Sequence, residues 1–195
     1  MKIKNILAVA VLVGLGVSAQ AVTITFLENG ANTTVGSSST FTESGASLTA
    51  YASPGQTLYA KSQGAGETGL GINSDPTGDH EIYGSTFIQL LSSQSSFAVT
   101  SVTLGSTTGG EVASIYYSTV LGVLGTLIGS TTSDSTILIN SIYQNGYIGI
   151  AASGPTAANV LLGPVTGTVP DGGTTVAMLG LGLTAVGLLR RKLAA

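Results

Sequence analysis

Between Thr174 and Leu189 the chain runs for 16 residues without a charge, and Arg190, Arg191 and Lys192 follow at once. A buried helix of a soluble domain would keep a polar face, and this stretch has none. At about 1.5 Å per residue a helix here reaches roughly 24 Å. That falls slightly short of a ~30 Å hydrocarbon core, so Gly172, Gly173 and the arginine stems are expected to complete the crossing. Basic residues resist translocation, which places the 190–195 end on the cytoplasmic side and everything before the span outside. The rest of the chain is therefore expected to fold after export.

The other end agrees. Lys2 and Lys4 precede an apolar stretch from Ile6 to Val17, and Ala19-Gln20-Ala21 supplies a small-x-small site. These are the three parts of a secretory signal peptide, here residues 1–21, with cleavage after Ala21 and a mature chain beginning at Val22. The apolar stretch is too short to span a bilayer.

Val169-Pro170-Asp171-Gly172-Gly173 stands just before the span. Pro170 has no N–H and biases Val169 toward an extended backbone, while the two glycines resist helix, so the helix cannot propagate into the motif. An extended strip is the form in which proteases bind backbone, by adding it to their own sheet edge. Motif, hydrophobic span and basic end, in that order, closely resemble the tripartite tail of PEP-CTERM proteins. Within that class the tail is similar to the VPDSG variant, with Gly172 where that variant has serine. The resemblance implies a substrate of an exosortase, the membrane cysteine protease or transpeptidase of Gram-negative, polysaccharide-producing bacteria. The inner membrane would then be a transient anchor, and the destination the envelope, surface or extracellular matrix.

Residues 22–168 are long enough for one domain around a single core. They contain no cysteine, so in an oxidising compartment stability rests on burial and sheet hydrogen bonds. Ser, Thr, Gly, Val, Ile and Tyr dominate, which suits strands and turns. Period-2 alternation is visible in Val22–Phe26, Leu48–Tyr51, Thr86–Leu90 and Tyr147–Ile150. Phe97 and Val99 lie on one parity and Val102 and Leu104 on the other, which predicts a bulge near Thr100-Ser101. Val120–Ile128 has apolar residues at helical spacing, but Gly122, Gly125 and Gly129 disfavour a helix, and the segment is expected as strand and hairpin. Short strands between Gly/Ser/Thr turns predict an all-β, antiparallel sandwich. The body also resembles a recurrent PEP-CTERM ectodomain through Leu58–Lys61, Gly66–Gly71, Asp75–Ile82, Phe87–Leu90 and Ala158–Leu162. That resemblance implies a jelly-roll-like sandwich and no known catalytic activity.

Outside the two terminal segments the only cation is Lys61, against nine acids between Glu28 and Asp171, a net of −8. Such a surface repels nucleic acid, and no basic run argues otherwise. Gly64 to Gly69 spells GxGxxG, but a dinucleotide site needs a helix opening there, and Leu-Gly-Ile-Asn-Ser-Asp-Pro follows instead. His80 is the sole histidine, and no G-x-S-x-G elbow is present, so neither a zinc site nor a nucleophile elbow is indicated. Asn73, Asp75, Asp79 and Glu81 gather oxygens in one loop shaped by Pro76 and Gly78, the material of a calcium site of about six to eight ligands. The alternative is a solvated loop in which Asp75 and Asp79 make Asx turns. With no Trp, any stacking platform for exopolysaccharide must come from tyrosine, for example Tyr116 and Tyr117. The sequence thus reads as a non-enzymatic exported protein, with a carbohydrate-binding module, calcium-dependent or not, as the rival.

Overall fold

The computed structural model describes residues 19–28, 30–63, 67–107, 110–154 and 158–170, together with Gly180, Gly182 and Leu183, which are helical. The expected leader up to Ser18, Asp171 to Gly173 of the motif, the rest of the span and Arg190 to Lys192 lie outside these. Among the described residues no helix is long and apolar enough to cross a membrane.

Residues 19–170 form one unit. Its strands in chain order are β1 (Ala19–Ile24), β2 (Thr33–Gly36), β3 (Ser38–Glu43), β4 (Ala46–Ala52), β5 (Leu58–Ser62), β6 (Thr68–Ile72) and β7 (Ile82–Tyr83). There follow β8 (Phe87–Ser92), β9 (Ala98–Gly105), β10 (Val112–Ser118), β11 (Thr126–Thr131), β12 (Ser135–Leu138), β13 (Gly146–Ser153) and β14 (Asn159–Pro170). A first sheet has the order β12-β9-β14-β6-β5-β2, with β1 and β7 also paired to β14, and a second has the order β11-β10-β13-β8-β4-β3. All pairings are antiparallel. The sandwich expected from the alternation is the fold observed.

The alternation decides what lies between the sheets. Leu48, Ala50, Ile88, Leu90, Ile148 and Ile150 come from the second sheet, Leu58, Leu70, Ile72, Val102, Leu104 and Leu162 from the first, and all are fully buried in one cluster. Burial of each large side chain contributes about 1.5–3 kcal/mol, which is how a chain without disulfides is held. Phe26 meets Phe41 edge-on with centroids 5.0 Å apart, closing the core beside β1. Outward positions carry hydroxyls in place of charges. Thr40 faces Thr49 at 2.9 Å, Thr103 faces Thr136 at 2.9 Å and Thr23 faces Thr166 at 3.0 Å, each a cross-strand pair that ties the ladder on its polar side.

β9 bears the expected bulge. Ser101 faces Thr166 and Val99 faces Gly167, so Thr100 is the extra residue, and both Val99 and Val102 reach the core despite their opposite parity. A second bulge lies on β14, where Gly163 and Pro164 oppose Thr103 alone. Pro164 is exposed there, in the kind of site where a strand tolerates proline. Residues 120–125 are a loop and Thr126–Ile128 open β11, which pairs back onto β10 as the expected hairpin.

Candidate functional site

β14 carries the first two residues of the sorting motif, Val169 and Pro170. It is the longest strand, and it carries the chain from buried Val160, Leu162 and Val165 out to half-buried Val169 and exposed Pro170. One edge pairs with β9 as far as Thr168 opposite Ala98. The other pairs with β1 in the register Ala19–Pro170, Gln20–Val169, Ala21–Thr168, Val22–Gly167, Thr23–Thr166 and Ile24–Val165. The first two motif residues, Val169 and Pro170, are thus extended as expected, and Ala19 and Ala21 of the predicted cleavage site lie opposite Pro170 and Thr168. Val22 and Ile24 are buried, whereas Ala19, Gln20 and Ala21 are exposed.

The second cluster lies under the Asn73–Glu81 loop. Tyr59 and Lys61 point to the outer side of β5 and face Gly71 and Gly69 of β6. The glycines leave room for the loop to fold back over the sheet, and a Cβ at Gly71 would overlap the His80 carbonyl. His80 stacks on Tyr59 with centroids 3.8 Å apart, and its Nδ1 donates to the Asn73 carbonyl at 3.1 Å. Lys61, 1% exposed, donates to Glu81 Oε1 at 2.6 Å and pairs with Glu67. Ser106 Oγ donates to the same Glu81 oxygen at 2.8 Å. Burial alone would lower the Lys61 pKa, but the hydrogen bonds and charges of Glu67 and Glu81 outweigh it and hold the ammonium above the ordinary lysine value. For Glu81, burial pushes the carboxyl up, against the pull of Lys61 and Ser106.

The four proposed calcium ligands do not converge. Asp75 is buried; its Oδ1 accepts from Thr77 N at 3.0 Å as an Asx turn, and its Oδ2 accepts from Thr77 Oγ1 at 2.8 Å and Glu81 N at 3.2 Å. Asn73 Oδ1 accepts from Thr34, Glu81 is held by Lys61 and Ser106, and Asp79 faces solvent. Among the described residues no three acidic or histidine side chains gather in a way that would hold a metal ion. The loop is built on internal donors. Lys61 and Ser106 escaped sequence reasoning, although a lone lysine on the outward parity of a strand was the available signal.

Gly69, the last glycine of the GxGxxG match, lies within β6, so no helix opens there. Tyr117 packs on Tyr143 and donates to the Asn145 carbonyl at 2.6 Å, while Tyr51 and Tyr147 meet edge-on at 6.1 Å on the outer face of the second sheet. A groove of about 400 Å³ beside β9, β12 and β14 is lined by Thr103, Thr136, Gly163 and Pro164. Its one acid, Asp134, accepts from the Thr107 backbone and hydroxyl.

Fold and chain ends together define an all-β domain whose final strand runs into a C-terminal processing signal. Residues 168–193 match the family model of the VPDSG-CTERM motif. The chain therefore carries the sorting signal of an exported, membrane-transiting protein processed by an exosortase-type membrane enzyme. No curated protein and no solved structure matches the chain.

Proposed function

We propose that this is a non-enzymatic exported β-sandwich protein of jelly-roll type. Its leader directs export, its span holds the precursor in the inner membrane, and cutting of the tail passes the sandwich on to the envelope, surface or extracellular matrix. The observation that carries this reading is the continuity of β14 into the matched segment: core residues as far as Val165 anchor a strand whose last three residues begin the signal. Grafting residues 168–195 onto an unrelated exported reporter tests the reading. The reporter should be trimmed at its C-terminus in a host that has the exosortase-type enzyme and stay membrane-held and whole in one that lacks it.

A second reading, binding of exopolysaccharide, rests on the Tyr51–Tyr147 pair, whose half-buried rings lie on the outer face of a sheet otherwise poor in charge. Retention on immobilised acidic polysaccharide, lost when both tyrosines become alanine, would favour it. A divalent ion should be needed to bridge two acidic partners.

A further inference from the structure

Five strands of the second sheet, β4, β8, β13, β10 and β11, contain no charged residue, and the chain has none between Glu111 and Asp134. The loop of residues 119–125 folds over the outer face of these strands. Gln89, 1% exposed, pins it with both ends of its amide: Nε2 donates to the Val123 carbonyl at 2.9 Å and the Val120 carbonyl at 3.4 Å, and Oε1 accepts from Gly122 N at 2.6 Å. Ser118 Oγ donates to the Val120 carbonyl and accepts from Val120 N, both at 3.0 Å. Leu124 lies over Gly149, where a Cβ would come within 2.9 Å of it. The loop is thus fixed by bonds within the domain, yet Val120, Leu121, Val123 and the neighbouring Leu127 are each between 45% and 55% exposed.

A fixed cluster of exposed aliphatic side chains marks a surface that another molecule covers. Charge decides which. The body has a net of −8 and its one cation, Lys61, is buried, so among the described residues no Lys or Arg is offered to an anionic headgroup or polymer. A cationic partner would seek carboxylates, and these five strands and their loop have none. A second copy is repelled wherever acids meet acids, but at this face two such bodies can touch with no like charges opposed. A two-fold pairing also sets aliphatic groups against aliphatic groups, because the same patch is used on both sides. We propose that the 119–125 loop and Leu127 form a self-association surface through which two copies of this chain pair about a two-fold axis. Five strands about 4.8 Å apart make a face roughly 20 Å across, at the small end of specific interfaces, so pairing is weak in dilute solution and favoured where copies are held side by side.

The chain has no cysteine, so a single introduced thiol can join two copies only through that position. Leu121→Cys and, in the exposed part of the loop over the first sheet, Asp79→Cys are placed separately in the full-length chain. Membranes from cells exporting each variant are treated with a short thiol-to-thiol cross-linker at about 0.01 M and about 1 M salt, between which the screening length falls from about 30 Å to about 3 Å. Leu121→Cys should give at least about tenfold more linked dimer than Asp79→Cys, and its yield should rise with salt as the repulsion between two acidic bodies is screened. Val123→Asp, added to Leu121→Cys, brings an acid onto the face and should cut the yield to that of Asp79→Cys. Should it also cost the sandwich its resistance to protease, the decision passes to Val123→Ser, whose yield should likewise fall. Equal yields from Leu121→Cys and Asp79→Cys, a yield that falls with salt, or one indifferent to both changes at Val123 would overturn the inference. A polarity-sensitive dye on the Leu121→Cys thiol that reports apolar surroundings in a chain that does not cross-link would also overturn it, because the bilayer would then be what covers the loop. If the chain is not found in membranes, the sorting reading fails, and the same cross-linking read on the soluble fraction still decides the pairing.

Discussion

Lys61 Nζ lies 2.6 Å from Glu81 Oε1, with both side chains shut away from solvent beneath a loop that contributes Glu81 itself. Removing one partner of a buried pair leaves the other charge uncompensated, which costs about 3–5 kcal/mol. Lys61→Met should lose stability on that scale in urea unfolding. Lys61→Met combined with Glu81→Leu should recover most of it, because Glu67 is 42% exposed and can take water in place of the ammonium. A double variant as unstable as the single one would show that the loop depends on the charges themselves.

The same pair fixes an alkaline limit. The folded-state pKa of Lys61 is raised above 10.5, so the native state holds this proton more tightly than the unfolded chain. Its contribution is therefore whole below pH 10.5 and is lost as the pH climbs through the higher folded value. Stability of the wild type relative to the Lys61→Met, Glu81→Leu double variant should be flat from neutral to about pH 10 and fall beyond it.

Asp75 organises the loop by accepting three hydrogen bonds. Asp75→Ala strands those donors and should cost about 1–3 kcal/mol. The loss should be the same with and without millimolar calcium, read as a melting temperature. A wild-type melting temperature that rises with calcium would mean that the loop takes an ion after all.

Gly71 gives way to the loop's backbone, since a Cβ there would overlap the His80 carbonyl. Gly71→Ala should displace the loop and break the His80–Tyr59 stack. Steeply increased proteolysis within residues 73–81 is the expected readout, with the rest of the sandwich intact.

The tail's three parts should fail differently. Pro170→Ala or Asp171→Ala leaves the span and basic end untouched, so the precursor should insert and stay uncut. Neutral residues at Arg190, Arg191 and Lys192 remove the resistance to translocation and should release an uncut chain. Gly182→Lys places a charge near mid-span at about 2.5–3.5 kcal/mol and should weaken anchoring outright. Cell fractionation with mass analysis of each product separates the three.

What could be read from the sequence was whatever one local pattern decides. Alternation at Leu48–Tyr51 and Tyr147–Ile150 marked strands, and the parity change between Val99 and Val102 marked the Thr100 bulge, because the period-2 pleat leaves no other way for both to reach the core. The register of β1 on β14 was not legible, since it joins residues more than 140 positions apart and no local property of Gln20 selects Val169. The partners of the acids in the 73–81 loop were not legible for a related reason. Composition showed oxygens in one loop, but the donors that engage them are Thr77 within the loop and Lys61 and Ser106 far from it in sequence. That Lys61 is the only cation of the body was legible, but not that two carboxylates close around it.

The most direct test of the account is the C-terminal mass of wild-type protein recovered from its final location. The account predicts a product that ends in or just after Val169-Pro170-Asp171-Gly172-Gly173 and lacks the apolar span and Arg190-Arg191-Lys192. Protein that has left the inner membrane and still reads intact through Ala195 would contradict it.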